Sequence, residues 1–168
     1  MTEINTLAKE ISSISRKELG HLYYSSREIA KALEENRYAM VTEGEKIAAF
    51  GFWRITDGPP RLGEAGWAEF HTLYIYPEFR GQGYLGRLFE VIYQRLKDAN
   101  LRAFFFTRAG AVEHTAVKYG FRKGSMSEIP FVVLIRALKH HLHPRRWTSY
   151  LKYGWRILGA WNWSVYIR

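Results

Sequence analysis

The sequence predicts a layered α/β or α+β fold, in which a sheet is flanked by helices. Segments rich in β-branched and aromatic residues, bounded by Gly and Pro, are typical of strands. After the third of these segments, apolar residues recur with the helical period from Leu85 to Leu96 and indicate an amphipathic helix ending near Asn100. Strands and helices in this order favour a layered domain. The predicted strands span residues 38–41, 46–55, 67–76 and 101–107.

Further helices are predicted on both sides of these strands. Apolar residues at helical spacing predict a first helix over residues 7–19. Ser25 and Glu28 match a capping box, which predicts that a second helix begins there. Residues 109–119 favour a helix closed by the glycine that follows. The apolar run over residues 131–135 fits a strand or a helix, because so short a run has no readable period.

Composition limits the class of protein. The 168 residues fit one domain with a sizeable core, since 47% are hydrophobic and 16% are aromatic. The absence of cysteine excludes disulfides, cysteine nucleophiles and cysteine metal sites, and it fits a reducing compartment. The N-terminal residues lack the apolar block that is typical of a secretory signal. The apolar runs of the sequence are also far shorter than the roughly 20 residues that a membrane-spanning helix needs. We therefore expect a cytoplasmic protein.

The net charge of +9 is concentrated towards the C-terminus. Residues 1–128 contain all 16 acidic residues and 18 of the 25 basic ones, so that residues 129–168 are basic without any acid. We expect a core domain over residues 1–128 and a basic aromatic segment over residues 129–168 that packs on the same domain. Four of the six tryptophans lie in this segment, at Trp147, Trp155, Trp161 and Trp163.

A glycine-rich loop lies between the third predicted strand and the amphipathic helix. It reads Arg-Gly-Gln-Gly-Tyr-Leu-Gly-Arg over residues 80–87. Glycine tolerates positive φ, and the N–H groups at a helix N-terminus attract anions together with the helix dipole. A phosphate or pyrophosphate is the expected ligand, although a glycine-rich turn without a ligand fits the loop alone equally well. The spacing matches neither the P-loop nor the Rossmann pattern.

The stretch from Leu73 to Gly83, with the corner Pro77-Glu78-Phe79, closely resembles the signature of the GNAT superfamily of acyl-CoA-dependent N-acyltransferases. The order of predicted elements is similar over about residues 4–125. The resemblance implies a mixed central sheet flanked by helices, and acetyl-CoA as the co-substrate. It also implies that strand backbone holds the pantetheine arm while the loop holds the pyrophosphate. The implied cofactor-binding residues are Leu73, Tyr74, Ile75, Arg80, Gly81, Gln82, Gly83, Tyr84, Leu85, Gly86 and Arg87.

Two positions depart from the GNAT pattern. Leu85 stands where Gly or Ala is usual, with Gly86 one place later. Ala116 replaces the tyrosine that commonly lies four residues before a Gly-Phe pair, so the usual acid for the leaving thiolate is missing from its place. Tyr119 and His114 are the nearest substitutes. The alternative to an acid role is core packing for Tyr119 and a solvated helix position for His114.

Transfer to an amine requires a base, because an unperturbed lysine amine has a pKa of about 10.4 and is mostly protonated at neutral pH. By resemblance to the histone-acetylating branch, Glu69 is the candidate, and its apolar neighbours Trp67 and Phe70 would raise its pKa. A surface glutamate in a half-exposed strand is an equal alternative. His71 would share a face with Glu69 in a regular strand, as base or orienting group, whereas a bulge would separate them. A hydrogen-bonded structural role is the favoured interpretation of His71.

These features predict an N-acetyltransferase that moves an acetyl group from acetyl-CoA to a primary amine, on a small molecule or a protein, by direct attack. The alternative is a GNAT-fold module that binds acyl-CoA or an anionic partner without catalysis, which Leu85 and Ala116 favour. Neither Asp, Glu nor Cys accompanies the histidines of the basic segment, so no metal site is predicted. These histidines are His140, His141 and His143.

The basic aromatic segment over residues 129–168 fits three interpretations. Its aromatic residues complete the core, with or without a homodimer partner; its Arg and Lys residues meet RNA or a membrane surface; or it forms a lid over the acceptor pocket. Packing is favoured for the tryptophans, because so many aromatic side chains are costly to expose.

Overall fold

The computed structural model describes residues 3–19, 24–56, 65–141 and 164–168. These residues belong to two compact units. One unit contains residues 3–37 and 138–141, and the other contains residues 38–137 and 164–168. The predictions for Trp147, Trp155, Trp161, Trp163 and His143 concern residues outside the described ranges.

The first unit contains two helices, α1 (Glu3–Ile14) and α2 (Ser26–Glu34). The capping box is present as predicted, since the backbone N–H of Glu28 donates to Ser25 Oγ at 3.3 Å and the Ser25 N–H donates to Glu28 Oε2 at 2.9 Å. The α-helix predicted over residues 7–19 is shorter than expected, because Ser15–Leu19 forms a π-helical turn.

The second unit has six strands in its described residues: β1 (Tyr38–Glu43), β2 (Lys46–Ile55), β3 (Gly66–Ile75), β4 (Leu101–Thr107), β5 (Arg122–Gly124) and β6 (Ser164–Ile167). They form one mixed sheet in the order β1-β2-β3-β4-β6-β5. Among these six strands, β3 and β4 pair in parallel, and every other neighbouring pair is antiparallel. Strand β6 therefore lies between β4 and β5, a position that the sequence did not predict.

Helices pack on both faces of this sheet, which confirms the predicted fold class. Alternate residues of β4 show the two faces, because Phe105 packs with buried residues of α3 and α4, whereas Phe104 packs with Val133 and Ala137 of α5. The run over residues 131–135, which fitted either state, is therefore helical. The helices are α3 (Tyr84–Asp98), α4 (Gly110–Lys118) and α5 (Phe131–His141).

None of the helices in the described residues has both the length and the hydrophobicity that crossing a membrane requires. Within the same ranges, no three His, Asp or Glu side chains are arranged to hold a metal ion.

Candidate active site

Strand β3 contains a bulge that decides which way its side chains face. Its register with β2 pairs Phe52 with Thr72 and then Trp53 with Phe70, so His71 has no Cα partner in β2. Before the bulge, Ala68 and Phe70 contribute to the core beside α3; after it, Leu73 and Ile75 do so. The inward positions change from even to odd numbers, as expected for one inserted residue.

The bulge removes the regular alternation on which the prediction of a common face for His71 and Glu69 depended. His71 is half-buried, and its Nδ1 lies 3.0 Å from Oγ1 of Thr72. The alternation of side chains on each side of the bulge places Glu69 and Thr72 on the same face of the sheet, the one that does not contact α3. The irregularity that the sequence analysis named as a risk is thus present.

Glu69 is a buried carboxylate in an ion pair. Its relative exposure is 1%, and Nη2 of Arg54 donates a hydrogen bond to its Oε2. The two residues are direct Cα partners across β2 and β3. The alternative of a half-exposed surface glutamate is therefore wrong.

Arg54 is only partly satisfied by this ion pair. Its Nε and Nη1 atoms are buried and have no hydrogen-bond partner in the part of the chain that the structure describes. Some 16% of the Arg54 side chain as a whole is exposed. The sequence analysis did not single out Arg54. The available signal was an arginine within an otherwise apolar strand, directly after Phe50-Gly51-Phe52-Trp53.

One backbone edge of β3 has no neighbouring strand beyond Glu69 among the residues that the structure describes. In these residues the parallel pairing with β4 ends at Glu69 and Phe104, after which β4 continues beside β6. The N–H of Tyr76 donates to Ala48 on the β2 side at 3.0 Å. Since N–H and C=O directions alternate along a strand, the backbone groups of Leu73 and Ile75 point to the opposite, open edge.

The glycine loop continues from this open edge to the N-terminus of α3. Gly81 and Gly83 have φ angles of 76° and 81°, and a Cβ built on either would have no atom within 4 Å. Gly83 is the N-cap of α3, so the N–H groups of the first helical turn have no partner within the helix. Arg80 lies beside the junction, where its Nε donates to the Ile75 carbonyl at 3.1 Å.

A small polar cluster fixes the outer side of the loop. The Tyr84 hydroxyl donates to Glu43 Oε2 at 2.6 Å, and Nη1 of Arg87 donates to the same oxygen at 3.2 Å. These bonds, chiefly that from Tyr84, lower the pKa of Glu43, and the bond to Glu43 raises the pKa of Tyr84. Because the Tyr84 side chain is buried and engaged, its backbone N–H is the group it can offer a ligand.

The two candidate acids on α4 lie in different surroundings. His114 is exposed, whereas Tyr119 is half-buried at the C-cap, with its ring stacked on Phe89 at a centroid distance of 6.1 Å. The Tyr119 hydroxyl lies 3.8 Å from the position of a Cβ built on Gly86, so it faces the first turn of α3. Ala116 is fully buried in the core.

A mixed sheet with an open strand edge leading to a glycine-bracketed helix N-terminus is typical of acyltransferases. The chain belongs to the acetyltransferase (GNAT) family, whose sequence pattern it matches over residues 4–121. We found no relative among curated protein sequences.

Several solved structures are similar to this chain in fold. The Rv2747 protein of Mycobacterium tuberculosis, crystallised with CoA, superposes with a TM-score of 0.68 at 13% identity, covering 97% of this chain and 93% of that chain. N-acetylglutamate synthase from Neisseria gonorrhoeae, crystallised with CoA and N-acetyl-glutamate, superposes with a TM-score of 0.61 at 16% identity. The match covers 100% of this chain and 33% of that chain. A phosphinothricin acetyltransferase from Sinorhizobium meliloti, with acetyl-CoA, gives 0.56 at 14% identity and covers 72% of each.

Proposed function

We propose that the protein is an N-acetyltransferase that transfers an acetyl group from acetyl-CoA to a primary amine. The observation that carries this proposal is a pair of backbone donor groups joined by the glycine loop. The first lies at Leu73 and Ile75 on the open edge of β3, and the second lies at the first turn of α3. The CoA and acetyl-CoA bound in similar structures support the same choice of co-substrate.

The loop residues fit a pyrophosphate. Positive φ angles and open space at Gly81 and Gly83 let an anion approach the N–H groups of the first helical turn, where the helix dipole also favours negative charge. Arg80 lies at the junction with β3 and adds a positive charge. The open edge of β3 fits the amide groups of a pantetheine arm, which can add to a strand through its backbone.

The proposed reaction is direct attack. The amine nitrogen attacks the thioester carbonyl carbon, so a C–N bond forms and the C–S bond breaks. The C–S electron pair leaves on sulfur, the amine proton passes to a base, and protonation of the thiolate gives the free thiol of CoA. The N–H of Leu73 or Ile75 stabilises the negative charge that develops on the carbonyl oxygen.

Glu69 is the proposed base, acting directly or through a water molecule. Its carboxylate is buried in an ion pair with Arg54. For the thiolate, Tyr119 is the proposed acid, since its hydroxyl faces the first turn of α3 and the tyrosine position used elsewhere in the family is taken by the buried Ala116.

The test replaces Gly83 by valine. A Val side chain strains the backbone at φ 81° and fills the space in which the pyrophosphate would lie. We expect Gly83→Val to abolish CoA binding in calorimetry, and with it the release of thiol from acetyl-CoA in the presence of amines.

Gly44→Val is the matched control. Gly44 has a φ of 58°, also lacks neighbours within 4 Å of a built Cβ, and lies in the turn between β1 and β2. Unchanged CoA affinity in Gly83→Val would sink the proposal. CoA binding without thiol release, across a panel of amines, would favour the binding module that does not catalyse.

A further inference from the structure

We propose that Arg54 binds a carboxylate of the acceptor, and that the acceptor is a free α-amino acid. This inference rests on the proposed acetyl transfer and names its substrate class. The observation behind it is the incomplete hydrogen bonding of the guanidinium, in which only Nη2 contacts Glu69. Nε and Nη1 are buried without a partner in the residues that the structure describes.

Such a guanidinium is an unusual feature of a protein interior. Buried polar groups are nearly always hydrogen-bonded, and each exception calls for an explanation. Arginine carries five N–H donors in a planar array that suits oxyanions, so the natural partner of the remaining donors is an oxyanion. Nε and Nη1 are themselves buried while 16% of the whole Arg54 side chain is exposed, so a ligand reaches these two atoms only after the groups that cover them move.

The neighbouring charge selects which oxyanion. Glu69 lies directly opposite Arg54 in the sheet and is only 1% exposed. A phosphate would place two negative charges beside this buried carboxylate, which costs free energy. A zwitterion has no net charge, and it can place a carboxylate on Arg54 and an amine beside Glu69. Each charge of the ligand then lies beside a side chain of the opposite charge.

The distance between the two ends selects which zwitterion. Directly opposed residues in an antiparallel pair have Cβ atoms about 4.5–5.5 Å apart. In a free α-amino acid, one carbon separates the amine from the carboxylate, so both ends reach this one pair of side chains. A lysine side chain and a peptide N-terminus carry no carboxylate beside the amine. The geometry therefore favours a free α-amino acid over a protein acceptor.

The experiment compares the twenty free L-amino acids with their α-amides as acceptors, with acetyl-CoA as donor and thiol release as the readout. A charge-assisted bond to the carboxylate should give at least one amino acid a kcat/KM about 10- to 100-fold above that of its amide. Arg54→Lys should remove this preference, because a single ammonium replaces the guanidinium donors. Arg122→Lys is the matched control, since Arg122 pairs with Glu128 at the surface, and it should keep the preference.

Each outcome decides the inference. If the amides react as well as the amino acids in the unsubstituted protein, the carboxylate site is wrong while the acetyltransferase stands. This comparison needs no variant, so it holds even if Arg54→Lys fails to fold. If no amine reacts, the proposed function fails. Calorimetry of the amino acids in the presence of CoA then decides: binding that Arg54→Lys weakens supports the site, and no binding overturns it.

Discussion

Two Arg–Glu ion pairs in the sheet-containing unit have the same chemistry and opposite surroundings. Arg54 and Glu69 lie across β2 and β3, with side chains that are 16% and 2% exposed, whereas Arg122 and Glu128 are 64% and 36% exposed. A surface pair exchanges water for a partner at little gain or cost. A buried pair must first lose the water around both charges. A protein with well-packed apolar residues at such positions is therefore often as stable as the protein with the ion pair, or more stable.

The difference indicates why the buried pair is informative about function. Stability alone gives little reason for two charges in the interior of a sheet, while binding or proton transfer gives a direct one. The Arg122–Glu128 pair also has a local explanation. The Glu128 carboxylate accepts the backbone N–H of Ser125 at 2.8 Å and so completes a capping box. Three predictions follow from the contrast, beginning with the largest effect.

Replacing Glu69 by glutamine should lower turnover by about 10²–10⁴-fold, the usual contribution of a positioned base, with little change in CoA affinity. Initial rates over a range of pH, together with CoA calorimetry, measure both quantities. Glu128→Gln is the matched variant and should turn over at the unsubstituted rate. A loss of less than threefold at every pH would make Glu69 a structural residue and leave His71 as the next candidate.

Breaking the buried pair should also destabilise the fold. Arg54→Met leaves the Glu69 carboxylate buried without its cation, which typically costs about 3–5 kcal/mol in the free energy of unfolding. The double variant Arg54→Met/Glu69→Met should recover most of that loss. Urea unfolding of both variants measures the difference. Equal stability of the single and double variants would show that Glu69 finds another cation or becomes neutral without cost.

The smallest effect concerns the exposed pair and pH. Arg122, followed by the Ser125 N–H, holds the pKa of Glu128 below its ordinary value of 4.5. A carboxylate with a lowered folded-state pKa stabilises the fold above its unfolded-state pKa, and this contribution is lost as pH falls through the folded-state value. The Tm advantage over Glu128→Gln should therefore be about 2 °C or less near neutrality and vanish in acid. A larger gap that persists below the lowered pKa would contradict this.

The backbone conformation of the glycine loop was predictable because its signals are local. Glycines at residues 81 and 83, placed between a strand and an amphipathic helix, indicated positive φ, and both adopt it. Strand β2 was predicted over residues 46–55 and has those bounds. In each case the pattern depends on neighbours within a few residues, where backbone sterics and side-chain period dominate.

The pairing of Arg54 with Glu69 was not predictable, because it depends on register between strands. Arg54 and Glu69 are fifteen residues apart in the chain, and their pairing depends on the bulge at His71. No residue type marks that bulge in the sequence. The place of β6 between β4 and β5 is likewise a long-range outcome. The roles of Glu69, His71 and Tyr119 in the reaction therefore stay predictions.

Because of the bulge at His71, β3 should tolerate the deletion of a residue less well than the substitution of one. Deleting one residue there would restore a regular strand and turn the preceding residues over. Glu69 would then enter the apolar layer beside α3, while Ala68 and Phe70 would leave it. In evolutionary terms, this strand can accept substitutions one by one, but the loss of a single codon would exchange its two faces.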